Sequence, residues 1–199
     1  MRAALVVLAV VVVLLIGLVM WAIGVQNQLV RLEQDVNEKW AQVQNVYQRR
    51  ADLIPNLVET VRGFAQQERT VLTEVTQARA NATSIRLTPE ALNDPQAMQK
   101  FAAAQGQLTG ALSRLLVTVE RYPELKSNAN FLALQSQLEG TENRIAVARR
   151  DYIDAVRAYN TELRTIPSRW VAAILYPDAK PMENFTASPG SERPPNVKF

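Results

Sequence analysis

Residues 131–160 read FLALQSQLEGTENRIAVARRDYIDAVRAYN, and this stretch decides the fold. Large residues recur every seven positions, and smaller or shorter residues occupy the intervening steps of three and four. The large set is Phe131, Leu138, Ile145, Tyr152 and Tyr159, and the smaller set is Leu134, Thr141, Ala148 and Ala155. A seven-residue repeat of this length predicts a helix in a left-handed bundle, where large side chains of one layer meet small ones of the next.

The same spacing predicts three earlier helices. The stripe of the first is Leu29, Leu32, Val36, Trp40, Val43 and Tyr47; that of the second is Leu57, Val61, Phe64, Glu68, Val71, Val75, Ala78 and Ala82; that of the third is Met98, Phe101, Gln105, Leu108, Leu112, Leu115, Val119 and Tyr122. Between residues 26 and 165 there are only four glycines and no strand-like alternation. We therefore predict an all-α domain over 26–165, an antiparallel up-and-down four-helix bundle with short links.

Prolines and capping residues predict where these helices begin and end. A proline in a helix interior costs about 3 kcal/mol or more, so Asp52 as a cap and Pro55 in a first turn predict a break between Arg50 and Leu53. A kinked, continuous helix is the alternative. Asp94-Pro95 predicts the start of the third helix, and Ser127 or Asn128 predicts that of the fourth.

An uncharged run precedes this domain. Residues 3–25 read AALVVLAVVVVLLIGLVMWAIGV and span about 35 Å as a helix, enough to cross a hydrocarbon core of about 30 Å. A cleaved signal peptide is the alternative, but the run is longer than an ordinary signal core. We predict a retained transmembrane anchor over 1–25, in contact with the lipid bilayer through 3–25. Arg2 favours a cytoplasmic N-terminus, which places the bundle outside the cytoplasm.

Two segments follow the bundle. We predict a short apolar helix within 166–176. It begins near Ser168, because Ile166-Pro167 stops the fourth helix. Residues 177–199 hold five of the ten prolines. That composition predicts a disordered, proline-rich tail.

The composition excludes several classes of activity. The chain has no Cys and no His, which removes zinc fingers, disulfide frameworks, cysteine nucleophiles and Ser-His-Asp triads. Seventeen basic and sixteen acidic residues lie between 26 and 165, so there is no clustered charge for nucleic acid. We expect no enzyme, no metal and no cofactor. Glu139 and Glu142 are two carboxylates in the middle of a helix, but without a pocket or phosphate loop they favour structural packing over acid-base chemistry.

Two adjacent pairs of arginines are candidates for an interaction surface. Arg49-Arg50 and Arg149-Arg150 are able to bind phosphate or acidic lipid head groups, since the guanidinium fork matches such oxyanions. The alternatives are a solvated face with ordinary ion pairs, which we favour, and an ion-pair network between the first and fourth helices.

A second candidate surface is a stripe of small residues on the third helix. Ala102, Gly106 and Gly110 lie four residues apart, and an interior glycine costs about 1 kcal/mol relative to alanine. Close approach of a neighbouring helix inside the bundle is the favoured explanation. A hinge, or an exposed face for a partner helix, is the other.

Three runs resemble the LemA family of bacterial membrane proteins. They are YQRRADLIPNLVETVRGFAQQE at 47–68, YPELKSN at 122–128 and the run at 131–160. The resemblance covers about the first 176 residues. It implies an N-terminal membrane helix followed by a helical bundle in the bacterial inner membrane, with no established catalytic activity and no agreed functional residues. It also implies association with a membrane metalloprotease, or a part in organising internal membranes.

Together these features predict a single-pass inner-membrane protein that acts as a non-catalytic scaffold or adaptor for membrane or envelope proteins. Its expected partners are other membrane proteins or further copies of the chain. A membrane sensor that binds a small ligand between its helices is the alternative, and such a sensor would need a partner to transmit its signal.

Overall fold

The computed structural model describes residues 2–185. Helices account for most of them, and no strand occurs in this part of the chain. The helices are α1 (Arg2–Phe64), α2 (Arg69–Ser84), α3 (Pro95–Val119), α4 (Pro123–Lys126), α5 (Ala129–Arg164) and α6 (Ser168–Leu175), with a 3₁₀ turn at Pro89–Ala91. The prediction of an all-α fold is confirmed.

The four long helices run alternately up and down. Trp40 and Arg50 of α1 contact Tyr152 and Glu142 of α5, so the residue numbers increase in opposite directions. Helices α2 and α3 are antiparallel as well, because the side chain of Gln105 reaches the carbonyl of Ala82 while Arg114 pairs with Glu74. This is the predicted up-and-down bundle, with α4 as a short connection.

The predicted break near Arg50–Leu53 is wrong, because α1 continues through Pro55 to Phe64. Proline lacks the N–H that would bond to the carbonyl of Ala51, and that loss is what makes an interior proline costly. Here the Nε of Arg79, on α2, donates to the Ala51 carbonyl at 2.7 Å. A side chain from a neighbouring helix therefore replaces the missing backbone donor, and Asp52 lies inside the helix rather than at its cap.

The second predicted helix is correspondingly shorter. The chain turns at 65–68, and α2 begins at Arg69. The turn shifts the buried positions, so that Ala65 is buried whereas Phe64, on the predicted stripe, is exposed. The seven-residue stripe from Leu57 to Ala82 is therefore interrupted at the turn. The stripes of α3 and α5 are confirmed, and Leu112 and Ile145 are both buried.

Two of the predicted caps are confirmed. The carboxylate of Asp94 accepts from the backbone N–H of Gln96 at 2.8 Å, and the side-chain oxygen of Asn128 accepts from that of Phe131 at 3.1 Å. Ser168 does not cap α6, because its hydroxyl bonds to the carboxylate of Glu162 instead.

Buried side chains form two clusters stacked along the bundle. The aromatic core includes Trp40, Tyr47, Phe101, Tyr152, Tyr159 and Phe185. The aliphatic core lies towards the turn at 65–68 and includes Ile54, Leu57, Val61, Leu108, Leu112, Leu115 and one aromatic ring, Phe131. Arg50 lies between the two cores in the sequence of α1.

Residues 177–185, here called the C-terminal segment, pack against the bundle. Asn160 holds the backbone of Met182 with two hydrogen bonds of 2.8 and 2.9 Å, and the hydroxyl of Tyr152 donates to the carbonyl of Glu183. Met182 and Phe185 are buried. The prediction of a disordered tail is therefore wrong for 177–185, because these two apolar side chains fill the aromatic core. Its remainder, 186–199, lies outside the described residues.

The first part of α1 lies outside both cores. Its side chains from Arg2 to Trp21 are exposed, and the first buried residue is Leu29. Among the described residues, only α1 is long and apolar enough to cross a membrane. Because α1 is continuous, this apolar segment leads into the bundle without a joint.

Candidate functional site: a buried arginine between three helices

The predicted interaction residues occupy two very different environments. Arg50 is 1% exposed, although arginine is almost never fully buried unless it is paired. Arg49, its neighbour in sequence, is exposed, and so is Arg150. The structure therefore separates the members of each arginine pair and brings only Arg50 and Arg149 into the core region.

Arg50 connects α1 to both α3 and α5. One terminal nitrogen lies 3.0 Å from the Thr109 hydroxyl and 3.0 Å from the Glu142 carboxylate, and the other bonds to the side-chain oxygen of Gln105. The amide of Gln105 in turn donates to the carbonyl of Ala82 at 3.3 Å. Charge-assisted bonds of this kind are stronger than neutral ones, so the cluster fixes the relative positions of the helices.

For Arg50, the favoured prediction of a solvated face is wrong. The alternative, an ion pair between the first and fourth predicted helices, is confirmed as the contact between α1 and α5. The Glu142 carboxylate is 40% exposed, so the pair lies where the interior meets solvent. The Nε of Arg50 has no hydrogen-bond partner.

Aromatic rings surround the arginine. The guanidinium of Arg50 lies 5.0 Å from the ring centre of Tyr47, and that of Arg149 lies 4.5 Å from the ring centre of Phe185. Both distances are typical of cation–π contacts. Burial raises the pKa of the Tyr47 hydroxyl, and the positive charges of Arg149 and Arg50 partly oppose that effect.

The glycine stripe does not lie at a helix contact. A Cβ added at Gly106 would meet no atom within 4 Å, and one at Gly110 would meet only the tip of the Arg114 side chain, at 3.7 Å. The favoured explanation, close approach of a neighbouring helix, is therefore wrong. Gly106 is exposed, and the other two explanations, a hinge or an exposed face for a partner helix, stay predictions.

The two carboxylates at the centre of α5 both interact with side chains of the protein. Glu142 pairs with Arg50, and Glu139 accepts a hydrogen bond from Gln135 at 3.0 Å. Within residues 2–185, no group of three or more Asp and Glu side chains is arranged to hold a metal ion.

A partly enclosed cavity of about 280 Å³ lies between α1, α2 and α3. Its wall includes Tyr47, Phe101 and Gln105, so it adjoins the arginine cluster. A shallower groove of about 450 Å³ lies between α1 and α5, and Val46, Arg144 and Val147 line it.

Sequence reasoning missed several members of this region. Gln105 occupies a core position of the α3 stripe, and a polar residue at such a position was the available signal for a buried partner. Thr109 and Phe185 had no comparable signal, because neither lies on a stripe. Their positions depend on how α3 and the C-terminal segment pack.

The model of the LemA family matches residues 39–199. The chain belongs to the LemA family. The match begins within the bundle part of α1 and includes residues 177–199, for which the sequence motifs predicted no resemblance. The resemblance drawn from the three motifs is confirmed.

Named relatives agree with this membership. The chain is 26% identical over 184 residues to "Magnetosome protein MamQ 2" of Paramagnetospirillum magneticum, which covers 84% of this chain and 67% of that protein. It is 24% identical over 184 residues to "Magnetosome protein MamQ" of Magnetospirillum gryphiswaldense, with the same coverage. It is 22% identical over 150 residues to "Protein LemA" of Metamycoplasma hominis, covering 75% and 64% of the two chains. This LemA-family chain is thus a membrane-associated helical protein.

Proposed function

We propose that this LemA-family protein is a retained single-pass protein of the bacterial inner membrane whose bundle serves as a non-catalytic scaffold or adaptor for other membrane proteins. The observation that carries the proposal is the unbroken α1, which runs from the apolar segment to Phe64. A scaffold must hold its binding surface at a defined height and orientation, and a continuous helix does this without a flexible linker. The magnetosome names of two relatives support a role at membranes.

The distance of Arg49 and Arg50 from the membrane segment argues against their binding to lipid head groups. Arg50 lies 24 residues beyond Gln26 on the same helix, or about 36 Å along its axis. The head-group layer extends only about 5–8 Å beyond the hydrocarbon core. Neither Arg49 nor Arg50 therefore reaches the lipid that α1 crosses. Arg50 is buried within the bundle, so only the exposed Arg49 of this pair is available for contact with proteins.

The exposed arginines flank a surface suited to such contact. Val46 and Val147 line the groove between α1 and α5, and Arg49 and Arg150 each follow one of these valines by three residues. Positions three apart lie on the same side of a helix, so each arginine is placed next to the groove, although the charged residues that line it are Arg144 and Asp151. An apolar floor with a charged rim is typical of protein interfaces.

Crosslinking in native membranes followed by mass spectrometry tests the scaffold proposal. The informative variant is Arg49→Glu with Arg150→Glu, and the matched control is Arg62→Glu, another exposed arginine of α1. Loss of specific crosslinked membrane proteins in the double variant, with an unchanged melting temperature, is the expected result. A membrane metalloprotease and further copies of the chain are the candidates to look for. Unchanged crosslinks in both variants would exclude this groove as the scaffold surface.

We propose that the bundle lies outside the cytoplasm, with Arg2 on the cytoplasmic side. A reporter fused to the C-terminus that is active only outside the cytoplasm should be active. N-terminal sequencing of the mature protein should find the apolar segment intact. A mature chain beginning near Val25 would exclude the anchor.

A sensor remains the second candidate, and the cavity between α1, α2 and α3 is the observation that favours it. A volume of about 280 Å³ lies near the lower end of the range for small-molecule sites. A thermal-shift screen of the full chain in detergent would test it. A ligand that raises the melting temperature of the wild type but not of Gln105→Leu would support the sensor; the scaffold proposal predicts no such ligand.

A further inference from the structure

Helix α6 lies beside the point where α1 leaves its apolar segment. The side-chain amide of Gln26, the first polar residue after 3–25, lies 3.4 Å from the carbonyl of Leu175 at the end of α6. The next residue, Tyr176, bonds through its hydroxyl to the carboxylate of Glu33. These contacts fix the C-terminal end of α6 against the first turns of α1 beyond that segment.

The two faces of α6 differ in their surroundings. Ser168, Val171 and Ala172 are buried against the bundle. On the other side, Trp170 is 62% exposed and Ile174 is 78% exposed. These two residues are four apart and form one surface, which Ala173 extends. An eight-residue helix thus directs its largest apolar side chains away from the protein.

The position of α6 accounts for this exposure. The head-group layer extends about 5–8 Å beyond the hydrocarbon core, and one helical turn rises about 5.4 Å. Gln26 and the end of α6 at Leu175, whose carbonyl lies within reach of the Gln26 amide, therefore lie at the depth of that layer when 3–25 crosses the bilayer. Tryptophan is enriched at this depth, because its ring is apolar and its N–H is polar.

Charges beside α6 fit the same environment. Arg164 and Arg169 are exposed and line one groove together with Ala173. Guanidinium groups attract the phosphates of lipid head groups, and anionic lipids strengthen that attraction. An apolar face next to basic residues is the pattern of helices that lie in the membrane interface.

We propose that the outward face of α6, formed by Trp170, Ala173 and Ile174, inserts into the interface of the bilayer that α1 crosses. The domain then contacts the membrane at two points, α1 and α6, which prevents rotation of the bundle about the axis of α1. This inference rests on the proposed anchoring by α1. Its occupant is the lipid surface itself rather than a protein.

The chain contains no cysteine, so single fluorescent labels can be placed without altering other positions. The test uses the full chain in vesicles of phosphatidylcholine and phosphatidylglycerol. Ile174→Cys carries the informative label. Val117→Cys is the matched control, because Val117 is also apolar and exposed but lies on α3, two turns beyond Thr109 of the arginine cluster. Val13→Cys reports on the anchor.

Nitroxide lipids labelled near the head group should quench the label at 174, and aqueous iodide should quench it severalfold less than the label at 117. Equal iodide quenching at 174 and 117, without quenching by lipid, would overturn the inference. Protection from iodide without quenching by lipid would also overturn it, because a protein would then cover α6. The label at 13 lies near the middle of 3–25, so it is tested with lipids that carry the nitroxide near the end of the acyl chain. If these lipids quench the label at 13 and head-group nitroxide does not quench the label at 174, only the inference fails. If neither is quenched, the proposed anchor fails as well.

Discussion

The aromatic and aliphatic cores both fill the space between the helices, but they do so with different kinds of side chain. The aliphatic core is filled almost entirely by leucine, valine, isoleucine and alanine from the long helices. In the aromatic core, the ring of Trp40 lies 5.2 Å from that of Phe101 and 5.3 Å from that of Tyr152, and Phe185 from outside the helices completes the core. Regular helical spacing is therefore sufficient for one core, whereas the other requires the C-terminal segment.

Large aromatic residues also bring polar groups into the interior. The indole N–H of Trp40 donates to the carbonyl of Leu87 at 3.1 Å, and the Tyr152 hydroxyl reaches the carbonyl of Glu183 at 2.9 Å. Both acceptors lie outside the long helices. The aromatic core thus connects the bundle to its loops, and its stability should respond to conditions that leave the aliphatic core unaffected.

The largest expected losses of stability are those of Trp40→Ala in the aromatic core and Leu112→Ala in the aliphatic core. Removing the buried indole should lower the free energy of unfolding by about 3–5 kcal/mol, and removing the leucine by about 2–5 kcal/mol, through lost burial and a residual cavity. Urea unfolding of the full chain in detergent micelles, followed by circular dichroism, measures both. One shared transition is expected if the two cores unfold together. A separate early transition in Trp40→Ala would instead show two independent units.

Next in size is Glu142→Ala, which removes the acidic partner of the buried Arg50 between the two cores. The guanidinium stays charged and buried, so we expect a loss of about 3 kcal/mol, at the low end for buried pairs because Glu142 is partly exposed. Glu139→Ala, three residues earlier on the same helix and exposed, is the control and should stay within about 0.5 kcal/mol. Similar losses for both variants would mean that the ion pair contributes nothing specific.

The third comparison uses alkaline pH. Burial, followed by the charge of Glu183, raises the pKa of Tyr152 well above its ordinary value of 10.0, and burial with Glu33 raises that of Tyr159 to about 12. The unfolded chain loses these protons first, so stability is full below about pH 10 and falls as the pH rises towards the folded values. Tyr152→Phe should make that fall less steep, even though it also loses a hydrogen bond worth about 1 kcal/mol at neutral pH.

Denaturant titrations at several pH values between neutral and strongly alkaline measure this slope. Both tyrosines belong to the aromatic core, so in a variant with Trp21 and Trp170 replaced by Phe the emission of Trp40 should change before that of a probe in the aliphatic core. Simultaneous changes would show that the two cores are one cooperative unit at high pH.

The smallest expected effect is an increase in stability rather than a loss. Gly106→Ala should raise the free energy of unfolding by about 0.5–1 kcal/mol, because the added Cβ meets no atom within 4 Å and alanine is the better helix former. Thermal melting of the two proteins side by side is sufficient. A destabilised variant would show that a close contact is present there after all.

Prediction from sequence was most successful where one element determines its own packing. The stripe of α5, from Phe131 to Tyr159, is buried as its spacing predicted, and so is that of α3. The helix caps at Asp94 and Asn128 were also predicted correctly, because a cap depends only on residues up to three positions away.

The errors arose where a distant group decides the local structure. Pro55 does not end α1, because Arg79 from another helix satisfies the carbonyl that the proline leaves free. Phe185 lies 33 residues beyond Tyr152 in the sequence but packs against its ring at 5.6 Å. Burial of Arg50 likewise depends on Gln105, Thr109 and Glu142 arriving together, and no spacing rule within α1 predicts that.

Because α1 is continuous, a small change in the tilt of its membrane segment produces a large displacement at the far end of the bundle. The 39 residues from Gln26 to Phe64 extend about 58 Å from the end of the apolar segment. Transmembrane helices tilt by about 20° on average, and a tilt of that size displaces the far end by about 20 Å. A change in bilayer thickness that alters the tilt by a few degrees therefore moves Phe64 by several ångströms, an amplification that a jointed connection would absorb.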